Sequence, residues 1–192
     1  MSAVMGVPRH VMEPLPGSGV WALTSAHGEL PCQWRARDRA ENDETFLQII
    51  PYALIRNARG ELWCYERLGG DARVRHRYSC GVGGHVDAED ANGGLLATAA
   101  SALCRELSEE LAWTVAPSAV RPLAWLYEGE SAIGRVHLGL IYALVWAEVD
   151  PPMPAPGEPL GALGFRPAAA IATDDRFELW SRLAAGWAKD PS

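Results

Sequence analysis

Apolar residues fall into runs separated by polar, proline-rich or glycine-rich stretches, and the runs change period along the chain. "FLQIIPYALIR" (46–56) and "ELWCYERL" (61–68), split by "NARG", predict a hairpin of two strands. Pro51 inside the first run points to an edge position or a bulge, because proline cannot donate to a ladder. "ARVRHRYSCGVGG" follows, and on a strand its Arg73, Arg75 and Arg77 would share one face. That face reads either as solvated or as a phosphate-facing row leading into the glycines. From Leu95 to Trp113 the period becomes helical. "RPLAWLYEG" (121–129) and "GRVHLGLIYALVWAEV" (134–149) read as strands around an acidic loop, and "PPMPAPGEP" (151–159) as a loop. "ALGFRPAAAI" (162–171) reads as a last short strand, and the remainder as an amphipathic helix capped by Asp174 or Asp175. Strands on both sides of a central helix, with a terminal helix, predict an α/β layered fold with a mixed sheet. Residues 1–43, rich in proline and glycine and ending in dense charge alternation, read as an N-terminal extension or small lobe packed on a main domain of residues 44–192.

Composition narrows the function classes. The 192 residues carry a net charge of −7 with no basic block, which argues against nucleic acid or an anionic membrane as partner. The acidic balance is compatible with a divalent cation. The longest apolar run, "LGLIYALVWA" (138–147), is too short to span a bilayer and reads as a buried strand. Cys32, Cys64, Cys80 and Cys104 are too scattered for a disulfide framework. With no signal-peptide pattern, reduced thiols in a cytoplasmic protein are the simplest reading. His76, Cys80 and His85 lack the spacing of a zinc site.

Two stretches carry the candidate chemistry. "SCGVGGHVDAED" (79–90) holds three glycines and then turns acidic, while "RELSEEL" (105–111) crowds Glu106, Glu109 and Glu110 into five positions. On a helix these glutamates project together within about 100° of arc. Leu96, Leu103, Leu107 and Leu111 form an adjacent stripe that can pack on a sheet, so the glutamates lie at the rim of the core. Like charges at this spacing cost a bare helix a few tenths of a kcal/mol per pair, roughly. A hard cation such as Mg²⁺, which takes oxygen ligands, removes that repulsion. Glycines without Cβ atoms let backbone approach a metal or a phosphate closely. A turn that delivers backbone beside carboxylates suits metal-assisted phosphoryl chemistry.

"GGHVDAED…RELSEEL" resembles the signature of the Nudix (MutT-like) hydrolases: a glycine turn, a glutamate six residues on, then Arg-Glu-aliphatic-x-Glu-Glu on a helix. "RAENDETFLQIIPY", "RVRHRYSCGVGGHVDAED" and "GRVHLGLIYA" resemble the bacterial branch of predicted MutT-like phosphoesterases, over roughly residues 36–185. The resemblance implies an α/β/α sandwich with a mixed sheet and a glutamate-rich catalytic helix. It also implies Mg²⁺ (or Mn²⁺) on Glu106, Glu109, Glu110 and the Gly83 carbonyl, with Arg105 orienting the carboxylates. The reaction implied is hydrolysis of a diphosphate linkage, in a nucleoside diphosphate joined to another group. Homodimers are common in such folds.

The chain departs from the pattern in two places. Ala97 stands where the signature has a glutamate eight residues before the arginine, and Ala112 stands where it has a glycine. Asp90 can replace the missing acid if "ANGGLL" loops out and lets it fold back. Glu128 and Glu130 in "YEGESAIG" are candidates for the base that activates water. Gly84, His85, Arg73, Arg75 and Arg77 are candidates for contacting substrate, and His137 reads as a packed strand histidine. Trp63, Tyr65, Trp125 and Tyr127 read as core. Two other functions remain open: a catalytically silent nucleotide-binding module, motivated by Ala97 and Ala112, and an isoprenoid diphosphate isomerase using Cys80.

Overall fold

A computed structural model describes residues 2–15, 17–24, 30–70, 72 and 74–188. Ten strands build one mixed sheet: β1 (Ala3–Pro8), β2 (Gly19–Ala22), β3 (Gln33–Ala36), β4 (Phe46–Arg56), β5 (Leu62–Arg67), β6 (Tyr78–Ser79), β7 (Gly81–Val82), β8 (Pro122–Tyr127), β9 (His137–Val145) and β10 (Leu160–Arg166). Among the described residues four α-helices accompany them: α1 (Arg37–Ala40), α2 (Leu95–Leu111), α3 (Ala168–Thr173) and α4 (Leu179–Ala188). The main path runs β10-β5-β4-β9-β8-β2.

The centre is β4 beside β9, parallel from Gln48 opposite His137 to Arg56 opposite Val145. Both strands read as near-continuous apolar runs because helices cover both faces of the sheet. On one face Leu47, Ile49, Ala53 and Ile55 of β4 pack with Trp63, Tyr65, Trp125 and the α2 residues Ala99, Ala102, Leu103 and Leu107. On the other, Tyr52 and Leu54 pack with Leu126, Ile141 and, from the α3–α4 side, Ile171, Phe177, Ala184 and Ala185. The result is the expected α/β/α sandwich. Trp63, Tyr65, Trp125 and Tyr127 are core residues.

The N-terminal segment contributes strands to this sheet. β1 pairs with β3 and with the first residues of β4, from Gly6 opposite Gln48 to Pro8 opposite Phe46, and β2 pairs with β8.

Four local expectations need correction. Pro51 lies in the central strand, opposite Leu140, rather than at an edge. It is tolerated because β4's other side changes partner there, from β1 at residues 46–48 to β7 at residues 53–54. Within that gap the Pro51 carbonyl faces Gly83, where an added Cβ would fall 1.8 Å away. The arginine run is not a strand: residues 74–77 turn, His76 has φ 62°, and only Tyr78–Ser79 pairs with β5. Arg73 lies outside the described residues. The final strand stops at Arg166, and "AAAI" belongs to α3, with Pro167 preceding its first turn. Asp174 and Asp175 precede α4 by several residues, so neither caps it; the Asp174 carboxylate accepts the Arg176 amide and holds the Arg176 guanidinium.

Candidate functional site

Arg105 organises one side of the site. Its Nε and Nη2 donate to the two oxygens of Asp90, each at 3.0 Å, and Nη2 also donates to the His85 carbonyl at 3.0 Å. Nη1 donates to Glu106 Oε1 at 2.8 Å and Glu109 Oε2 at 3.0 Å. A two-pronged, charge-assisted contact of this kind fixes geometry as well as charge. Asp90 reaches Arg105 because residues 88–90 form a 3-10 turn in which Asp87 and Asp90 bond reciprocally, and residues 91–94 then loop out before α2. Asn92 ties that loop to the helix through Thr98 Oγ1 and Ser101 Oγ. The hydrogen bond to Asp90 is foremost in holding Arg105 charged, with Glu106 adding to it.

The glycine turn meets the acidic helix directly. An added Cβ at Gly84 would fall 2.4 Å from Glu106 Oε1. Only a residue with no side chain lets that carboxylate lie over the turn. Burial raises the proton affinity of Glu106 despite Arg105. Glu110 is more affected: burial pushes its carboxyl up to about 8, against the pull of Arg67, and its Oε2 is shielded with no hydrogen-bond partner. The Glu109 side chain is 55% exposed.

These groups suit a hard divalent cation by chemistry: three carboxylates on one helix face, one with an unpartnered buried oxygen, beside bare glycine backbone. They are not yet gathered as a ligand cage. Among the described residues no three His, Cys, Asp or Glu side chains converge as a metal site, because Glu106 and Glu109 are turned onto Arg105.

Across the glycine turn opens a cavity of about 750 Å³. Its walls are Gly83, Gly84 and His85, the loop 128–134 with His137, Ile50 and Tyr52 of β4, Arg67 and Arg77, the start of α4 (Glu178, Leu179, Trp180), and Arg37 and Glu41 from the N-terminal segment. His85 and His137 touch, Nε2 to Nε2, at 3.1 Å, and His137 Nδ1 lies 2.7 Å from the Ile133 carbonyl. Since a carbonyl only accepts, His137 carries its proton on Nδ1, and in the neutral pair His85 donates from Nε2. Burial, with His137 and Arg37 adding, pulls His85 down to about 3, so it is neutral near pH 7.

The predicted residues therefore divide. Arg105, Glu106, Glu109, Glu110, Gly83, Gly84 and His85 come together. Glu128 and Glu130 line the cavity, but Glu128 is 3% exposed and spent on its own loop, accepting from the Glu130 and Ser131 amides at 2.9 and 3.0 Å and from the Ser131 hydroxyl. Its carboxylate holds the loop shape, leaving Glu130 as the exposed acid there. Arg77 lines the cavity while bonding the Phe177 carbonyl at 3.0 Å, whereas Arg75 is exposed and reaches the Gly70 carbonyl, away from the walls. Cys80 is buried under α4, its backbone bonded to Ser181 Oγ, and burial holds its thiol well above the ordinary range. It is no wall of the cavity, which removes the motive for an isomerase.

Sequence reasoning missed Arg67, Glu178, Arg37 and Glu41. Arg67 ends an apolar strand and Glu178 precedes Ser181 by one helical turn; both are charged residues on otherwise apolar patterns, the one local signal available.

The layered sheet, the acidic helix and the glycine turn define a Nudix fold. Tm1382, a candidate Nudix hydrolase, superposes with a TM-score of 0.76 at 21% identity, covering 96% of this chain and 97% of the other. DR0079 from Deinococcus radiodurans superposes at 0.56 with 23% identity, over 88% and 97% of the two chains. The MutT protein from Methanosarcina mazei Go1 does so at 0.52 with 16% identity, over 74% and 93%. By sequence the chain belongs to the family of Protein YmaB from Bacillus subtilis (strain 168), with 33% identity over 141 residues, 69% of this chain and 68% of YmaB. No family model matches the chain. No helix among the described residues is long and apolar enough to cross a membrane.

Proposed function

We propose that the chain is a divalent-metal-dependent pyrophosphohydrolase that cleaves the diphosphate linkage of a nucleoside diphosphate joined to another group. The observation that carries this reading is the contact between Gly84 and Glu106. It sets an acidic helix face and glycine backbone at the edge of a cavity roomy enough for a nucleoside-sized group.

Mg²⁺ (or Mn²⁺) held by Glu106, Glu109, Glu110 and the Gly83 carbonyl would polarise the phosphoryl oxygens and lower the pKa of water. Arg105, fixed by Asp90, would orient the Glu106 and Glu109 carboxylates, Glu106 over the turn. His85, held neutral by burial and in contact with His137, offers a hydrogen bond without adding its own charge beside the cation. Glu130, an exposed acid of the cavity lining, would take the proton of the attacking water. Attack at one phosphorus breaks the P–O–P bridge and leaves two phosphate-bearing fragments.

The tie of Glu106 and Glu109 to Arg105 motivates the second reading, a silent nucleotide-binding module. Calorimetric titration with Mg²⁺ and Mn²⁺, alone and with ADP, together with a hydrolysis panel of nucleoside diphosphate conjugates, separates the two. Metal binding weakened at least tenfold in Glu109→Gln, with metal-dependent turnover in the native protein, is the expected outcome. Nucleotide binding that needs no metal, with no turnover, would leave the binding module.

A further inference from the structure

Arg67 sits where the acidic helix and the cavity meet. It ends β5 and lines the cavity together with Gly83, Gly84 and Glu178. From the α4 side, Glu178 Oε2 lies 3.4 Å from Arg67 Nε. The other oxygen of Glu178 is taken by Ser79 Oγ at 2.7 Å and Tyr52 OH at 3.2 Å, so Glu178 is anchored. From the α2 side, Arg67 is the leading positive influence on Glu110.

One atom of each of two groups stays short of a hydrogen bond. Arg67 Nε is shielded from solvent without a well-formed hydrogen bond, and so is Glu110 Oε2. A guanidinium has five N–H donors in a planar fork, and leaving buried donors unmade is costly. Arg67, held along one edge of its fork by Glu178, and Glu110, with one oxygen unpartnered, are groups that a metal-bound diphosphate would complete. The cation satisfies the carboxylate, and a non-bridging phosphate oxygen satisfies the fork. Of the three arginines expected to meet phosphate, Arg75 points elsewhere and Arg77 is bonded to backbone.

We propose that Arg67 is the residue that binds the diphosphate of the substrate, with Glu178 holding its guanidinium in place from behind. This rests on the pyrophosphohydrolase reading and adds to it the group that receives the anion.

The test uses methylenediphosphonate, whose P–C–P bridge is not hydrolysed, titrated calorimetrically in saturating Mg²⁺ into the full-length native chain, Arg67→Lys and Arg67→Gln. Mg²⁺ alone is titrated in parallel, and thermal melts check folding. Loss of a charge-assisted fork predicts about 10- to 100-fold weaker diphosphonate binding in Arg67→Gln, with a smaller loss in Arg67→Lys. Mg²⁺ affinity stays within about threefold. If removing the buried charge unfolds Arg67→Gln, Arg67→Lys decides alone. Diphosphonate affinity unchanged in the folded variants would overturn the assignment while leaving the hydrolase reading intact. An equal loss of Mg²⁺ affinity would also overturn it, making Arg67 a support of the metal site. A native protein that binds Mg²⁺ but no diphosphonate would sink the hydrolase reading itself.

Discussion

Glu110 shows how burial and charge compete within one side chain. Its carboxyl is desolvated, and the nearby Glu106 and Glu109 make ionisation harder still, so Arg67 recovers only part of the cost. A carboxyl whose proton affinity rises on folding stabilises the fold fully below its unfolded value near 4.5. That contribution is lost as pH climbs through about 8. In chelator, therefore, the native protein should lose stability between pH 5 and pH 8.5. Glu110→Gln, which cannot ionise, should raise Tm at pH 8.5 by about 5 °C, taking roughly 2–4 °C per kcal/mol for a chain of this size. At pH 5 the gain should nearly vanish. Equal gains at both pH values in differential scanning calorimetry would mean that Glu110 is not held protonated by burial. Asp90 differs from Glu110 in that both its oxygens are engaged by the Arg105 guanidinium.

At the scale of elements, α2 shows how much a periodic pattern carries. The leucines at 103, 107 and 111 bury as the helical period requires, and the glutamates emerge together at the rim. The end of the helix carries a conflict visible in both sequence and geometry. Ala112 adopts φ 50° and ψ 30°, the left-handed conformation that glycine accepts and a Cβ resists. Ala112→Gly should stabilise the protein by about 0.5–1 kcal/mol, the relief of strain being partly offset by greater freedom in the unfolded chain. Urea unfolding would measure this, and a loss of stability would show that the Ala112 methyl contributes packing worth more than the strain. The arginine run failed as a strand for a tertiary reason. Arg77 is drawn to the carbonyls before α4 and the Arg67 backbone bonds Arg77 and His76, so alternation there had no sheet face to serve.

Across the whole molecule, the N-terminal segment and the sheet are one structure. β1 completes the ladder of β4, its Met5 amide bonds the Val86 carbonyl just past the glycine turn, and Met5 and Val7 lie in the core under α2. Arg37 and Glu41, ion-paired at 3.1 Å, form part of the cavity wall. Removing residues 1–43 should leave a chain with exposed β4 and β8 edges that aggregates or melts at least 10 °C lower, read by light scattering and thermal denaturation. A truncated chain as stable as the full one would show that the extension is an accessory lobe after all.

The amino-acid sequence alone determined what depends on near neighbours: the helix, its glutamate face, the bare turn, and the apolar runs of β4 and β9. Helical and strand periods are local, and so are the conformations open to glycine. Only the tertiary structure decided the rest. It brought Asp90 back to Arg105 across fifteen positions of chain, spent the Glu128 carboxylate on its own loop, seated Pro51 at a change of partners in a central strand, and set Arg67 against Glu178 at the cavity wall. Each of these is a choice among distant partners. Such choices are settled by which buried charges and donors must be satisfied at once, a condition imposed by packing the two helical layers against one sheet.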